Sequence, residues 1–444
     1  LWIGRSGNFR NLVFRNVHIA VQSHGTLPGV QQNIENCVMM IQYQNWELNG
    51  IRGNLYGTIT LKNSIIIFKD LLTYAGQGIG FSHPDRLIAK NNIFDAWAKP
   101  GLQPASIGMY SCIDRIPRAY PDSPSIVENN YFDGNATGTQ EGRGVAVLAT
   151  STAYEIRNNI VSGCSVGVFS LNLPLNQGLS YNLFWNNLFN KSDYLTYGPG
   201  DTTANPMVVG KVEDTTDLIT PYQLQLFSPA IDAGDPALTD PDGSRSDIGP
   251  FGGPGGRVYS YPDLPPALPA NLQQSIANKI LTLTWQWNTE SDFSHYQIYR
   301  DTVLNFIPGP HNRYRVADTS VFIDSLTAYT PGVYYLGITA LDRQGNESEL
   351  SDKIIIQIMG TEEAAVSQPM EYRLYQNYPN PFNPGTGISY SLREGGWVNL
   401  TLYTLTGEKL QTLQEGYQSA GNYTVTADLG HLASGIYLYR IEVH

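Results

Sequence analysis

Apolar and polar residues alternate along the first half of the chain in a phrase that recurs around one asparagine. The phrase reads VFRNVHI, IENCVMM, LKNSIII, AKNNIF, VENNYF, IRNNIV and SYNLFW. It aligns on Asn16, Asn36, Asn63, Asn91, Asn129, Asn158 and Asn182. The intervals are 20, 27, 28, 38, 29 and 24 residues, which is the range of proteins that stack one structural repeat on the next.

The residues two positions before and after these asparagines are apolar at twelve of fourteen places. Residues two apart in a strand share a face, so the pattern places each asparagine on the inner face with them, as with Ile34 and Val38 around Asn36. A buried amide without a partner costs about 1–3 kcal/mol. Coils stacked about 4.8 Å apart let each amide bind the next. The sequence therefore predicts an inner asparagine ladder.

Composition supports an all-β chain and argues against some classes of binding partner. Charged residues are only 15%, while the chain has 43 Gly, 27 Pro and 28 Tyr, which favours many short strands and loops. The net charge of −12 argues against nucleic acid as a partner. Cys37, Cys112 and Cys164 are too few and too widely spaced for a disulfide framework or structural zinc site. No apolar run approaches the roughly 18–20 residues of a membrane span.

The asparagine-centred phrases of residues 1–227 resemble right-handed parallel β-helix proteins of the pectate-lyase-like group. Residues 228–256, SPAIDAGDPALTDPDGSRSDIGPFGGPGG, resemble the C-terminal cap that often closes such helices. The resemblance implies an extracellular polysaccharide as partner and, for an enzyme, polysaccharide lyase or glycoside hydrolase activity. The long excursion from Ala98 to Ser125 is expected on the ligand-binding side. The chain opens in mid-pattern at Leu1, so we expect an N-terminally truncated helix.

The pattern changes after a Pro-rich linker at residues 257–269. Residues 270–358 resemble a fibronectin type III domain, a β-sandwich, through Trp285 on an early strand and the phrase YYLGITALDRQGNES. A second linker follows at residues 359–370. The predicted fold class is thus all-β: a right-handed parallel β-helix followed by two small β-sandwich domains, in a chain that we expect to be a monomer.

Residues 371–444 resemble the C-terminal sorting domain of type IX secretion. The matching phrases are YQNYPNPFNPGTGISYSL, LYTLTGEKL, AGNYTV and LASGIYLYRI. Pro379, Pro381 and Pro384 lack a backbone donor, which predicts an extended lead-in and not a central strand. The resemblance implies export to the cell surface or the medium, with the type IX secretion machinery as partner. The family continues with one more strand, so we expect a C-terminally truncated domain.

Three charged positions point outward, one residue before the repeated asparagine. Lys62 and Lys90 should be neighbours on successive coils, and Arg157 should lie beside Glu128. One interpretation is a saccharide-binding strip in which these cations hold a uronate. The alternative is an ordinary sheet surface with opposite charges on adjacent strands.

Two carboxylates recur four residues after the asparagine. Asp95 and Asp133 should stack about 5 Å apart, which is the separation of the catalytic pair in a retaining glycosidase. Like charges this close would also raise one pKa, as an acid/base pair needs. The alternative is that both are turn residues, since aspartate is common there.

A third acidic group lies in DPDGSRSD. Closely spaced oxygens of Asp240, Asp242 and Asp247 suit Ca²⁺, which takes six to eight hard ligands. The series lacks the third Asp and the downstream Glu of an EF-hand loop. The alternative is a set of Asx-turns in the closing segment.

Two functions remain open at this point. The first is an exported protein that binds, and as an enzyme would cleave, an extracellular polysaccharide. The second is a non-catalytic surface adhesin or structural stalk. Convergence of Asp95, Asp133 and the charges of the Ala98–Ser125 excursion would favour the enzyme.

Overall fold

A computed structural model divides the chain into two compact units, residues 1–328 with 333–356, and residues 329–332 with 357–444. Each unit is described separately. The structure describes residues 2–3, 6–17, 19–42, 48–69, 76–81, 86–95, 111–116, 124–134, 143–147, 154–170, 178–210, 216–359, 371–380, 382, 384–430, 432–433 and 435–444.

The described strands between residues 2 and 203 form a stack of parallel strands, here called the coil stack. Its strands are β1 Trp2–Ile3, β2 Gly7–Arg10, β3 Val13–Val17, β4 Ile19–Glu35, β5 Val38–Gln42, β6 Leu48–Lys62, β7 Ile65–Lys69, β8 Gly76–Phe81, β9 Arg86–Lys90, β10 Ile93–Asp95, β11 Ser111–Ile116, β12 Ser125–Glu128, β13 Tyr131–Asp133, β14 Arg143–Val147, β15 Tyr154–Arg157, β16 Ile160–Ser162, β17 Val166–Ser170, β18 Leu179–Ser180, β19 Leu183–Trp185, β20 Phe189–Lys191 and β21 Thr202–Thr203.

These strands line up in three columns, and every pairing between them is parallel. A 13-stranded sheet holds two columns, which the long strands β4 and β6 join. The first column runs β2, β4, β6, β9, β12, β15, β18, and the second runs β1, β4, β6, β8, β11, β14, β17, β20. The third column is an 8-stranded sheet of β3, β5, β7, β10, β13, β16, β19 and β21. The chain is thus all-β with parallel sheets, and each repeat contributes about one strand to each column.

The repeated asparagines stand at the corner between the first and third columns. Asn36, Asn63, Asn91, Asn129 and Asn158 all have positive φ, between 50° and 57°. Asparagine tolerates this left-handed conformation better than most residues, because its short polar side chain bonds locally. The corner residue of the first coil is Asn11, with φ 56°, whereas Asn16 lies within β3. The prediction of an inner ladder of these asparagines is correct for Asn182, which is buried and bonded to Asn159. It was wrong for Asn16 and for the five corner asparagines, which stand one position before the inward residue.

The inner ladder is built by the next residue of each coil. Asn92, Asn130, Asn159 and Asn182 are fully buried. The side-chain oxygen of Asn130 accepts both the backbone and the side-chain N–H of Asn92, at 3.0 and 2.9 Å. The Asn130 amide in turn donates to Asn159, at 2.9 Å, and to the Ala89 carbonyl, at 3.0 Å. The amides of Asn130, Asn159 and Asn182 each use both donors and both acceptor sites, which is the full capacity of the group.

The left-handed corner also changes which residues face inward. Residues two before the corner are in the core as predicted, for example Leu61 and Val127. In the third column the inward residues are instead three after the corner, namely Met39, Ile66, Phe94, Phe132, Val161 and Phe184. The prediction placed the residue two after the corner inside. That residue faces outward, because the positive φ at the corner shifts the inward and outward positions of the following strand by one residue.

Those outward residues are nevertheless buried, since a later part of the chain covers them. Ile65, Ile93, Tyr131, Ile160 and Leu183 form a second core with Tyr222, Leu224, Ala230, Ile248 and Phe251. Tyr222 belongs to a short 3-10 helix, η1 Thr220–Tyr222. Residues 228–256, here called the strap, run along the side of the coil stack at the asparagine corner. The two cores therefore lie on opposite faces of the 8-stranded sheet.

The rest of the first unit contains a seven-stranded sandwich. Its sheets are three- and four-stranded, in the orders β22-β23-β26 and β25-β24-β27-β28. The β22–β23, β23–β26, β24–β25 and β24–β27 pairings are antiparallel. The strands are β22 Gln273–Ala277, β23 Ile280–Thr284, β24 Phe293–Asp301, β25 Arg313–Ala317, β26 Val321–Ser325, β27 Gly332–Asp342 and β28 Ile354–Ile358, with η2 Leu326–Ala328. Trp285 is buried against Tyr296, with ring centroids 5.0 Å apart. Three plus four strands is the fibronectin type III arrangement.

The second unit contains two three-stranded antiparallel sheets, β29-β30-β33 and β32-β31-β34. The strands are β29 Arg373–Leu374, β30 Gly385–Leu392, β31 Gly396–Thr404, β32 Lys409–Gln418, β33 Gly421–Asp428 and β34 Tyr437–Val443. Pro379 and Pro384 lie outside these strands, as predicted, and Pro381 lies outside the described residues. Just before Pro379, Tyr378 pairs with Gly387 through bonds of 2.9 and 2.8 Å.

No helix in the described part of the chain is long and apolar enough to cross a membrane.

Substitution Asn159→Ala should destabilise the coil stack. It leaves the backbone and side-chain N–H groups of Asn130 without their acceptor, at a cost of about 1–3 kcal/mol for each unpaired buried donor. Urea denaturation followed by circular dichroism measures the change. Asn305→Ala, at an exposed loop position, is the control and should stay within about 0.5 kcal/mol of the original protein. Equal stability of the two variants would contradict the ladder's role.

Candidate functional site

The predicted charged strip exists, and its register is as expected. Lys62 pairs with Lys90 on the next coil, and Glu128 with Arg157. Glu128 is buried and holds two cations, with Lys90 Nζ at 2.6 Å and Arg157 Nη2 at 2.7 Å. Arg157 also reaches Asp235 of the strap at 3.2 Å. Two of the three candidate saccharide-binding cations are therefore neutralised, while Lys62 is exposed.

Asp95 and Asp133 are brought together on the third column, at the same register of β10 and β13. They are only 6% and 7% exposed. The Tyr222 hydroxyl donates a hydrogen bond to Asp95, and its ring lies 5.2 Å from that of Tyr131. Burial, followed by the charge of the nearby carboxylates, raises the pKa of both tyrosines well above the usual value. Each phenol therefore stays neutral, and that of Tyr222 keeps the proton that it donates to Asp95.

The corner asparagines hold the strap against the coil stack through side-chain hydrogen bonds. The Asn91 amide donates to the carbonyls of Pro250 and Gly252, at 3.2 and 2.7 Å. The Asn129 amide does the same to Asp247 and Gly249, at 2.8 and 3.2 Å. On the next coil the oxygen of Asn158 accepts the Asp235 N–H at 2.7 Å. Sequence reasoning missed this role. The sequence did contain a signal for this role. Three repeats have two consecutive asparagines, whereas one inner ladder requires only one asparagine in each repeat.

The glycines of the strap follow from this close approach. A Cβ on Gly252 would lie 2.8 Å from Asn129 Nδ2 and 2.1 Å from the Asp247 carbonyl oxygen. On Gly255 it would lie 2.6 Å from Asn91 Oδ1. Heavy atoms that close must move apart, so larger residues at these two positions would push the strap off the corner. Contact with the amides thus accounts for Gly252, Gly253 and Gly255 of the phrase GPFGGPGG.

The three candidate calcium ligands are engaged in the strap's own hydrogen bonds. Asp240 accepts the backbone N–H of Asp247 at 3.0 Å and that of Gly253. Asp242 caps Ser244 at 2.9 Å. Asp247 accepts the Asp232 N–H at 2.9 Å and the Tyr261 hydroxyl at 2.7 Å. Across the described ranges, no group of three or more His, Cys, Asp or Glu side chains is placed to hold a metal ion.

The excursion from Ala98 to Ser125 was expected to carry ligand-binding charges. Only residues 111–116 and 124–125 of it are among those described. The predicted convergence of its charges with Asp95 and Asp133 thus falls on residues outside the described ones.

The tail matches a known protein family. Residues 376–444 match the family described as the secretion system C-terminal sorting domain. This confirms the sorting-domain prediction and indicates export, with the protein at the cell surface or secreted. The domain implies the type IX secretion machinery as a partner. No curated protein matches the chain.

Among solved structures, an Fn3-like protein from Clostridium thermocellum is 23% identical, over 22% of this chain and 98% of that one, with a TM-score of 0.18. A chitinase from Bacillus thuringiensis is 14% identical over 42% of this chain and 30% of the chitinase, with a TM-score of 0.21. An alpha-L-rhamnosidase from Dictyoglumus thermophilum is 14% identical over 36% of this chain and 25% of the rhamnosidase, with a TM-score of 0.18. TM-scores this low carry no inference about function, and the chain spans less than a third of either enzyme.

Gly252→Ala should loosen the strap. The added methyl group overlaps the Asp247 carbonyl and the Asn129 amide, and overpacking of this kind costs about 1–3 kcal/mol. Limited proteolysis with mass spectrometry should show earlier cleavage within residues 228–256. Gly210→Ala is the matched control, because no atom lies within 4 Å of its Cβ position. Identical cleavage patterns for the two variants would argue against a tightly clamped strap.

The strap should be more stable in mild acid than at neutral pH. Burial raises the pKa of Asp247 from 3.8 to about 6, so the folded state binds this proton more tightly than the unfolded state. The stabilisation is complete below about pH 4 and is lost as pH rises through about 6, a change of about 1–3 kcal/mol. Asp247→Asn keeps an acceptor for the Asp232 N–H and should flatten this part of the pH profile in urea denaturation. An unchanged slope between pH 4 and 7 would contradict the assignment.

Proposed function

We propose that this exported protein binds an extracellular polysaccharide without cleaving it, and that its coil stack is a right-handed parallel β-helix of the pectate-lyase-like kind. One observation carries the absence of cleavage. The stacked carboxylate pair that the repeat pattern predicts, Asp95 and Asp133, lies beneath Tyr222 and is almost completely buried.

Retaining hydrolysis needs two carboxyl groups that both touch the glycosidic bond, about 5–5.5 Å apart. The register of Asp95 and Asp133 approaches that spacing, but the second core covers both. The hydrogen bond from Tyr222 also occupies Asp95. The pair is better explained as the polar anchor that ties η1 to the outer face of the third column.

β-Elimination from a uronate needs a free base and a cation at the sugar carboxylate. Lys90 and Arg157 are both held by the buried carboxylate of Glu128, and charge-assisted bonds of this kind are among the strongest in proteins. Lys62, which is exposed, remains able to contact an acidic sugar. These contacts favour binding over turnover at the charged strip.

A second candidate function is a stalk. The segment that follows the coil stack bonds to the linker and to the sandwich: the Leu226 N–H donates to Pro262 at 2.9 Å, and the Asn205 amide donates to Thr289 at 3.0 Å. The Tyr259 hydroxyl accepts the Leu224 N–H at 2.9 Å. At the sandwich end the Asn288 amide donates to Ala267 at 2.7 Å. The predicted Pro-rich linker is thus held near both ends, as a rigid spacer requires.

The full chain should be retarded in affinity electrophoresis through gels that contain alginate, polygalacturonate, xylan or laminarin. It should release no reducing ends or unsaturated uronate from the same polymers. Products that appear with the original protein and disappear in Asp95→Asn and Asp133→Asn would overturn the proposal in favour of a glycosidase. No retardation by any polymer would overturn it in favour of the stalk.

A further inference from the structure

The last coil ends in a loop that closes the open end of the core and exposes aromatic rings. Leu195 is 1% exposed and joins the inner core. Its near neighbours Tyr194 and Tyr197 are about half exposed, at 49% and 51%. Phe189, on the adjoining strand β20, is 59% exposed. Contiguous exposed apolar surface of this kind marks binding sites for ligands or proteins.

The Tyr197 ring is fixed before any ligand arrives. It packs edge-on against buried Phe184, with centroids 5.9 Å apart and planes at 69°. The Asn190 amide donates to its hydroxyl at 3.2 Å and to Thr203 at 3.0 Å. Lys191 Nζ lies 5.1 Å from the ring centroid. A ring already held in place loses little conformational entropy on binding, which favours affinity.

The loop itself is tied to the inner ladder. Asp201 ends that ladder: one of its oxygens accepts the Asn182 backbone and side-chain N–H groups at 2.8 and 3.0 Å. Its other oxygen accepts the Gly198 N–H at 2.7 Å. The Tyr181 N–H donates to Pro199 at 2.8 Å. The exposed tyrosines therefore stand on a segment that the core positions.

The chemistry of this surface fits a sugar ring better than a second protein. A pyranose offers apolar C–H groups on its faces and hydroxyl groups at its edge, and binding sites combine aromatic faces with a few placed polar groups. Here Asn190, Lys191 and Thr203 lie beside the ring. Protein interfaces instead deplete charge at their centre, whereas Lys191 and Asp193 fall between the exposed rings in sequence.

We propose that Phe189, Asn190, Lys191, Tyr194 and Tyr197, here called the end platform, bind a pyranose ring of a polysaccharide. Tyr197 and Tyr194 stack on the sugar, and Asn190 and Lys191 bind its hydroxyl or anionic substituents. This inference rests on the proposed function and assigns it a place on the molecule. It differs from the charged strip of the first column, because it uses rings at the end of the stack.

The test compares full-length variants by affinity electrophoresis in alginate, polygalacturonate, xylan and laminarin. Tyr197→Ala and Tyr194→Ala should each weaken binding about tenfold, the effect of an aromatic contact worth about 1.4 kcal/mol. Tyr197→Phe keeps the ring and should stay within about threefold of the original protein. Tyr378→Ala removes an exposed tyrosine of the other unit, 79% exposed, and should leave binding unchanged.

The outcomes separate this inference from the proposed function. Binding by the original protein that persists in the double variant Tyr194→Ala, Tyr197→Ala overturns the end platform and leaves polysaccharide binding in place. No binding to any polymer overturns both. Self-association in sedimentation analysis that the double variant abolishes would assign the surface to a second copy instead. Tyr194→Ala alone, at an exposed loop position, keeps the test decisive if the double variant does not fold.

Discussion

The structure of the coil stack depends on pairs of consecutive polar residues at one corner, which in three coils are two asparagines. The first adopts a left-handed conformation and bonds outward to the strap, as Asn129 does to Asp247 and Gly249. The second points inward and bonds to the coils above and below, as Asn130 does. One dipeptide therefore provides cohesion both along the stack and across it. Because every inner amide has partners for all its polar atoms, a buried polar column is compatible with an otherwise apolar core.

The same arrangement shows why residues that resemble a catalytic site have structural roles here. Asp95 anchors Tyr222, Glu128 collects Lys90 and Arg157, and Asp247 receives Tyr261. Residues 222–251 cover the outer face of the third column, so its regular positions have little free surface. Function is then expected where the repeat is interrupted, at the end loop and in the long excursions between strands.

Sequence reasoning reached the repeat, the parallel stacking, the neighbours along the charged strip and the sorting domain. It failed at the corner, because hydrophobic alternation assumes a continuous strand, and the positive φ of Asn63 or Asn91 is invisible in that pattern. The error moved Ile93 and Tyr131 to the wrong face of their strands. It could not find the second core either, since contacts such as Asn91 with Gly252 join residues 161 positions apart. The exposed end loop had no periodicity to single it out.

The two sets of asparagine contacts differ in sequence separation and should therefore form at different times during folding. The ladder joins coils about 23–38 residues apart, so it can form while the chain is still emerging. The outer core has to wait until residues 228–256 are available, because its contacts span far longer loops, and such contacts form late. Until then the outer faces of Ile65, Ile93 and Ile160 are uncovered. A chain that crosses a membrane before it folds would thus pass through a stage in which the apolar outer face of the third column is exposed to solvent. Docking of the glycine-rich strap buries that face.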